Sequence, residues 1–217
     1  MKARFLGHAA VLLESEDGTS LLIDPYDPGG FGGKMAYRPI DYQADAVVCS
    51  HQHADHCALK PLRNSPHLII GDASYGPFAV RRHGAFHDEY GGRRRGGAVD
   101  VLDIGVDGLR IVHLSDIGHS PSAKLVEALV NPDWLFVPVG GFFTVGAAQA
   151  HQWWRRLAAR HVVPIHYRTE RCGLNIRPRA HFEAYLRRET RAEGSCVELG
   201  SRMVSFDSSV VLLDPEF

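Results

Sequence analysis

The stretch Ala46-Val47-Val48-Cys49, followed almost at once by His51-Gln52-His53-Ala54-Asp55-His56, decides how this chain is read. The first four residues form a short apolar run, the pattern of a buried strand. Four of the six residues from His51 to His56 are imidazoles or carboxylates, the side chains that divalent metals prefer. His51, His53 and Asp55 are two apart, so in extended backbone they project to one side, while His56 points elsewhere. One loop at a strand end can therefore feed two adjacent metal ions. Burying such a cluster without metal would leave polar groups unpaired, at a cost of several kcal/mol.

The same arrangement recurs along the chain. Ile111 through Leu114 runs into Asp116, Trp134 through Val139 into Gly140-Gly141, and Val162 through Ile165 into His166. Rigid strands aim catalytic groups from the loops at their carboxyl ends. If these ends share one rim, the histidines and aspartates converge. A lone histidine at a strand end is ordinarily a core residue. His87 and Asp116 gain weight because they follow the main cluster.

With 217 residues the chain is expected to form a single domain over 1–217. A chain of this length buries roughly 70% of its unfolded surface. Apolar residues make up 45% and charged residues 23%, with a net charge of −1, so nothing suggests a polyanion-binding protein. No apolar run is long enough for a membrane span, and no signal-peptide pattern opens the chain. The four cysteines form no Cys-x-x-Cys pair and read as reduced thiols of a cytoplasmic protein. Of the thirteen histidines, His67, His83, His151, His161 and His181 read as solvated or locally paired.

Residues Val11 through Ile23 read as a hairpin turning at Glu16-Asp17-Gly18-Thr19. The glycine-rich segment 27–39 reads as a mobile loop and lacks the residues of a phosphate-binding loop. Strands are expected near Leu68–Ile70, Val99–Ile104 and Leu109–Leu114. Helices and strands then alternate. A helix capped near Ser120–Ser122 carries Leu125, Leu129 and Val130. Thr144 is placed to cap a second helix, with Trp153, Trp154 and Leu157 as core packing. A third helix is expected near residues 179–193, burying Phe182, Tyr185 and Leu186. Two closing strands are expected at Cys196–Leu199 and Val204–Leu213.

His51-x-His53-x-Asp55-His56 resembles the signature of the metallo-β-lactamase superfamily. More narrowly, the chain is similar to the branch of metal-dependent hydrolases that includes L-ascorbate-6-phosphate lactonase. Leu6-Gly7-His8-Ala9-Ala10-Val11, Leu22-Ile23-Asp24-Pro25 and His113-Leu114-Ser115-Asp116 carry that likeness, with Val139-Gly140-Gly141-Phe142-Phe143-Thr144 and Pro164-Ile165-His166-Tyr167. It covers roughly residues 4 to 170. The resemblance implies an α+β fold, a four-layer αββα sandwich of two mixed sheets flanked by helices. It implies that His51, His53 and His87 hold one metal and Asp55, His56 and His166 a second, with Asp116 bridging them. His113 rivals His87 but lies inside a strand. Ser115 stands where the family usually has glycine, and a side chain there either crowds the metal or adds a hydrogen bond.

Imidazole with carboxylate suits zinc first, then manganese or iron. A metal-bridging hydroxide would serve as nucleophile, and no Gly-x-Ser-x-Gly motif offers another. Asp55, Asp116 and His119 are the catalytic candidates, and His8 is a candidate to hold a metal ligand in place or to contact the substrate. Asp24 reads as fixing a turn. Arg93-Arg94-Arg95 could meet an anionic group, although the surrounding glycines read as an unorganised, solvated turn. The expected substrate is a small ester or lactone, phosphorylated or not. A phosphodiesterase acting on a phospholipid, nucleotide or nucleic acid is the alternative, and a non-catalytic metal-binding protein a third reading. Near-zero charge argues against nucleic acid. A homo-oligomer is left open.

Overall fold

The computed structural model describes residues 1–186, 190–200 and 209–216, with backbone alone over 190–193. Its elements in chain order begin with β1 (Lys2–Gly7), β2 (Ala10–Glu14), β3 (Ser20–Ile23), the single turn α1 (Gly30–Gly33), β4 (Ala46–Val48), β5 (His67–Leu68) and β6 (Ala73–Tyr75). Then come β7 (Phe78–Phe86), β8 (Ala98–Val106), β9 (Leu109–His113), α2 (Ala123–Leu129), β10 (Trp134–Pro138), α3 (Ala147–Leu157) and β11 (His161–Ile165). The chain closes with α4 (Ala180–Glu183), β12 (Thr190–Glu193), β13 (Cys196–Glu198) and β14 (Ser209–Leu213).

These strands form two mixed sheets, ordered β13-β1-β2-β3-β4-β5 and β12-β14-β11-β10-β9-β8-β7-β6. In the first, β1, β2 and β3 are an antiparallel meander, and β4 and β5 continue it in parallel. In the second, β6 to β9 are antiparallel, while β9, β10, β11 and β14 run parallel.

Side-chain alternation builds the layers. Val11 and Leu13 of β2 enter the core between the sheets, while Ala10 and Leu12 face outward into a second apolar cluster. That outer cluster is closed by Tyr26, Met35, Tyr37, Ile40, Leu174 and Ile176, so irregular chain covers this side of the first sheet. The helices flank the second sheet. All five residues of β10 and of β11 are buried, as expected of parallel strands covered on both faces. Helix α3 packs against β10 with Trp153 and Leu157 fully buried. Burying each such side chain contributes about 1.5–3 kcal/mol.

The hairpin, the strands near 99–104, 109–114, 134–139 and 162–165 and the helices α2 and α3 agree with the sequence reading, but β1, β6 and β7 were not expected and other elements need correction. Ser122 caps α2 by accepting from the Leu125 N–H, but Gly146, not Thr144, stands at the cap of α3. The Thr144 hydroxyl instead donates to the Val145 carbonyl. The expected helix over 179–193 is only the four residues Ala180–Glu183, and Thr190–Glu193 is strand. Phe182 is buried there, but Tyr185 is exposed. The expected last strand is described from Ser209, and residues 204–208 lie outside the described residues. Cys49 and Cys57 form a disulfide across a Cα–Cα distance of 5.3 Å, correcting the expectation of reduced thiols for these two. The bridge brackets the 51–56 segment.

Candidate metal centre

Polar residues collect where strands of both sheets end. His8 follows β1, Asp24 follows β3, and His51 to His56 lie just beyond β4. From the second sheet, His87 follows β7, Asp116 lies just past β9, and His166 follows β11. Several of these residues hold left-handed backbone, with φ of 54° at His8, 46° at Asp24, 47° at Ser115 and 50° at His166.

Two donor groups result. His51, His53, His87 and Asp116 form one, and His8, Asp55, His56 and His166 the other, with the candidate ligand atoms of each within 4.8 Å of one another. Asp116 reaches both. Its Oδ1 lies 3.1 Å from His56 Nε2 and 3.3 Å from His166 Nε2. Its Oδ2 lies 3.8 Å from His87 Nδ1 and 4.0 Å from His51 Nε2. The seven residues expected as ligands are thus brought together, and His8 joins them, with Nε2 3.1 Å from Asp55 Oδ2 and its ring 4.1 Å from that of His166.

Burial pushes the imidazoles of His51 and His166 down to about 3, so both stay neutral with a lone pair available at pH 7. His56 moves the other way: burial disfavours its proton, but Asp116, Asp24 and Asp55 outweigh burial and hold its pKa well above 6.5. Burial likewise opposes ionisation of Asp116, yet His166, His56 and His51 keep it a carboxylate. Despite their closeness, His56 Nε2 and Asp116 Oδ1 are both buried without a hydrogen-bond partner among the described residues. Buried, unpaired nitrogen and oxygen donors converging at this spacing fit divalent cations.

A second ring of groups fixes the first. Asp24 is fully buried and accepts from the Ser50 N–H (2.7 Å), the Ser50 hydroxyl (2.8 Å), the Ser115 hydroxyl (2.7 Å) and His56 Nδ1–H (3.0 Å). Burial alone would raise its carboxyl; the His56 hydrogen bond and charge reverse this and hold it below the ordinary carboxylate range. The bond from His56 Nδ1–H aims Nε2 at Asp116 Oδ1, where a cation would displace the Nε2 proton, the carboxylate–histidine arrangement that orients metal ligands. The sequence assigned Asp24 only to a turn; the available signal was its place directly after the apolar run Leu21-Leu22-Ile23. Ser115 turns away from the donor groups to Asp24 and the Ser50 hydroxyl, so it adds a hydrogen bond rather than crowding the site. His113 has both nitrogens engaged, Nε2–H donating to the Ala9 carbonyl and Nδ1 accepting from the Ser115 N–H.

His119 stands in neither donor group. Its Nδ1 bonds the Ser120 carbonyl and its ring lies against Trp153 and Phe86. Beside His51 and His53 opens a cavity of about 660 Å³, walled by Leu68, Ile69, Ile70 and Val99, with Gly96 at its rim.

No helix among the described residues is long and apolar enough to cross a membrane. Residues 2–166 match the family model of the β-lactamase superfamily domain. A metal-dependent hydrolase of Carboxydothermus hydrogenoformans is 29% identical over 199 residues, covering 78% of this chain and 85% of that protein. One from Thermococcus onnurineus is 30% identical over 195 residues, with 78% and 85% covered. A solved structure from Thermotoga maritima, assigned to the metallo-β-lactamase superfamily, is 27% identical, covers 99% of both chains and superposes with a TM-score of 0.77. The family model spans residues 2–166, the fold superposes on that structure over nearly its whole length, and the chain belongs to the metallo-β-lactamase superfamily.

Proposed function

We propose that this chain is a binuclear metal-dependent hydrolase acting on a small ester or lactone. The observation that carries the reading is Asp116, whose two oxygens each face a different donor group. His51, His53 and His87 would hold one ion, Asp55, His56 and His166 the other, and Asp116 both. The relatives named above are metal-dependent hydrolases, and the Thermotoga maritima protein is described as Zn-dependent, which favours zinc over manganese or iron.

When bound, two such ions supply Lewis acidity toward the scissile group and lower the pKa of water from 15.7 to about 7. The protein's part is positional. Asp24 and His113 lock the rings and backbone around the ions. Asp55, held by His8, orients a water-derived nucleophile through its carboxylate. The cavity beside His51 and His53, with its apolar wall, receives the uncharged body of a small substrate.

The test is metal analysis joined to a two-substrate assay. The expected content is about two transition-metal equivalents per chain. Zinc- or manganese-loaded protein should cleave an aryl ester faster than bis-p-nitrophenyl phosphate, and His53→Ala and Asp116→Ala should abolish turnover in a folded protein. One equivalent or fewer, or full activity in either variant, would overturn the reading. Faster cleavage of the phosphodiester would transfer it to phosphodiesterase chemistry.

A further inference from the structure

The arginine loop next to His87 is not the unorganised turn that its glycines suggest. Asp88, largely buried, accepts four backbone N–H bonds: Tyr90 (2.7 Å) and Gly92 (2.8 Å) on Oδ1, Arg94 (2.8 Å) and Arg95 (2.8 Å) on Oδ2. The loop closes where the His87 N–H donates to the Gly97 carbonyl at 3.1 Å. Gly96 lies flat on the His87 ring, where a Cβ would come within 2.6 Å of His87 Cγ. One carboxylate thus ties the loop backbone against a residue of the first donor group.

The side chains that this backbone presents are cations with aromatic neighbours. The Arg94 guanidinium lies 3.7 Å above the Tyr90 ring, and that of Arg95 lies 5.1 Å from the Phe142 ring. Arg93, Arg94 and Arg95 are exposed and pair with no carboxylate among the described residues. The acidic groups nearest in sequence are occupied: Asp88 by the loop amides, and Glu89 by the Ser120 N–H and hydroxyl and by Gln149. Phe142 belongs to the segment that leaves the second donor group, since the Gly140 N–H bonds the His166 carbonyl. The Arg95–Phe142 contact therefore links a loop resting on His87 to a loop resting on His166. Phe142 and Phe143 are exposed at 52% and 38% and stack edge to face. A guanidinium held over an aromatic face keeps its in-plane N–H fork free for a carboxylate or phosphate.

We propose that Arg94 and Arg95 form an anion-recognition rim over the candidate metal centre, selecting substrates that carry a carboxylate or phosphate monoester on the part of the molecule beyond the scissile bond. This rests on the hydrolase reading above. It names the substrate class: an anionic ester or lactone, not a neutral one.

The test compares three p-nitrophenyl esters with zinc-loaded protein, one with a neutral acyl chain, one ending in a carboxylate and one ending in a phosphate. Wild type is expected to favour one or both charged esters by about tenfold or more in kcat/KM. That preference should shrink as NaCl rises from 0.05 to 0.5 M, because exposed charges are screened over about 10 Å at 0.1 M ionic strength. In Arg94→Gln/Arg95→Gln the ratio should fall toward one, through KM. Equal use of neutral and charged esters by wild type, or a preference that survives the double substitution, overturns the proposal while leaving the hydrolase reading intact. Calorimetric binding of the non-hydrolysable amide analogue of each charged ester gives a readout without turnover. Binding weakened tenfold or more in the double variant supports the rim, and equal binding refutes it. No turnover of any ester, beside charge-selective binding of the amides, would sink the hydrolase reading alone. The ester that wild type prefers identifies carboxylate or phosphate.

Discussion

Replacing Asp24 by asparagine tests the orienting carboxylate by removing one charge and exchanging one acceptor for a donor. Oδ1 accepts from the Ser50 N–H, and Oδ2 accepts from the Ser50 and Ser115 hydroxyls and from His56 Nδ1–H. An asparagine side chain has two choices. With its amide nitrogen at the Oδ1 position, it faces the buried Ser50 N–H donor to donor, and an unsatisfied buried group costs about 1–3 kcal/mol. With the nitrogen at the Oδ2 position, the hydroxyls can rotate, but His56 cannot keep its Nδ1 proton. Its neutral form must then carry the proton on Nε2, which leaves no lone pair there for a metal ion. The first choice appears as lost stability, the second as weakened metal binding. Substitutions of such outer partners lower metal affinity about 10–100-fold, equivalent to roughly 1.4–2.8 kcal/mol. Chelator competition reads the affinity and chemical denaturation of the metal-free protein reads the stability. Asp24→Asn with metal affinity within threefold of wild type and unchanged unfolding would show that the carboxylate does not orient His56.

Gly118→Ala should be severe, since a Cβ there runs into the His87 carbonyl; a loss of about 3 kcal/mol by denaturation, with reduced metal content, is expected. Thiol titration of the unfolded, unreduced protein should find two free thiols, Cys172 and Cys196, and reduction should lower stability by about 2.5 kcal/mol, the chain-entropy value for a bridge of sequence separation 8; four free thiols would refute the bridge. Ser115→Gly should stay within about 1 kcal/mol of wild type, because relief of the left-handed backbone offsets the lost hydrogen bond to Asp24. Ser115→Ala keeps the backbone conformation and loses the hydroxyl, so it should be less stable than wild type by about 1–2 kcal/mol in the same assay.

The ligand-type residues were legible because their signal is one of composition at close spacing. His51 to His56 follows an apolar run, and Asp116 and His166 follow others. The buried parallel strands were legible for a related reason: Trp134–Pro138 and His161–Ile165 are covered on both faces and so read as nearly unbroken apolar segments. The long strand Phe78–Phe86 was not read, because Arg81-Arg82-His83 is an unbroken polar run, its last two members half-buried, and Gly84 breaks the alternation. The false helix over 179–193 came from Phe182, Tyr185 and Leu186, whose spacing is helical although the helix ends at Glu183. The organisation of the arginine loop was hidden because it depends on Asp88 bonding to backbone amides, which any residue type can supply.

The sign of φ at the strand ends was equally hidden, and it explains how a sheet edge becomes a donor cluster. A strand that simply continued past His8, Asp24, Ser115 or His166 would send successive side chains to opposite faces. A left-handed residue at each of these points turns the chain while its backbone stays bonded: the His166 N–H donates to the His8 carbonyl at 2.7 Å and the Asp24 N–H to the Val48 carbonyl at 3.0 Å. For residues with a Cβ this conformation costs about 1–2 kcal/mol each, somewhat less for aspartate. Glycine would remove that cost at every position, but at His8, Asp24 and His166 it would also remove the group that the site uses. Only at Ser115 is the side chain dispensable to the donor set, which is why a glycine fits there and why serine, once present, is held by Asp24. At His8, Asp24 and His166 the strain thus falls where the site uses the side chain, and the buried sheets behind them keep it in place.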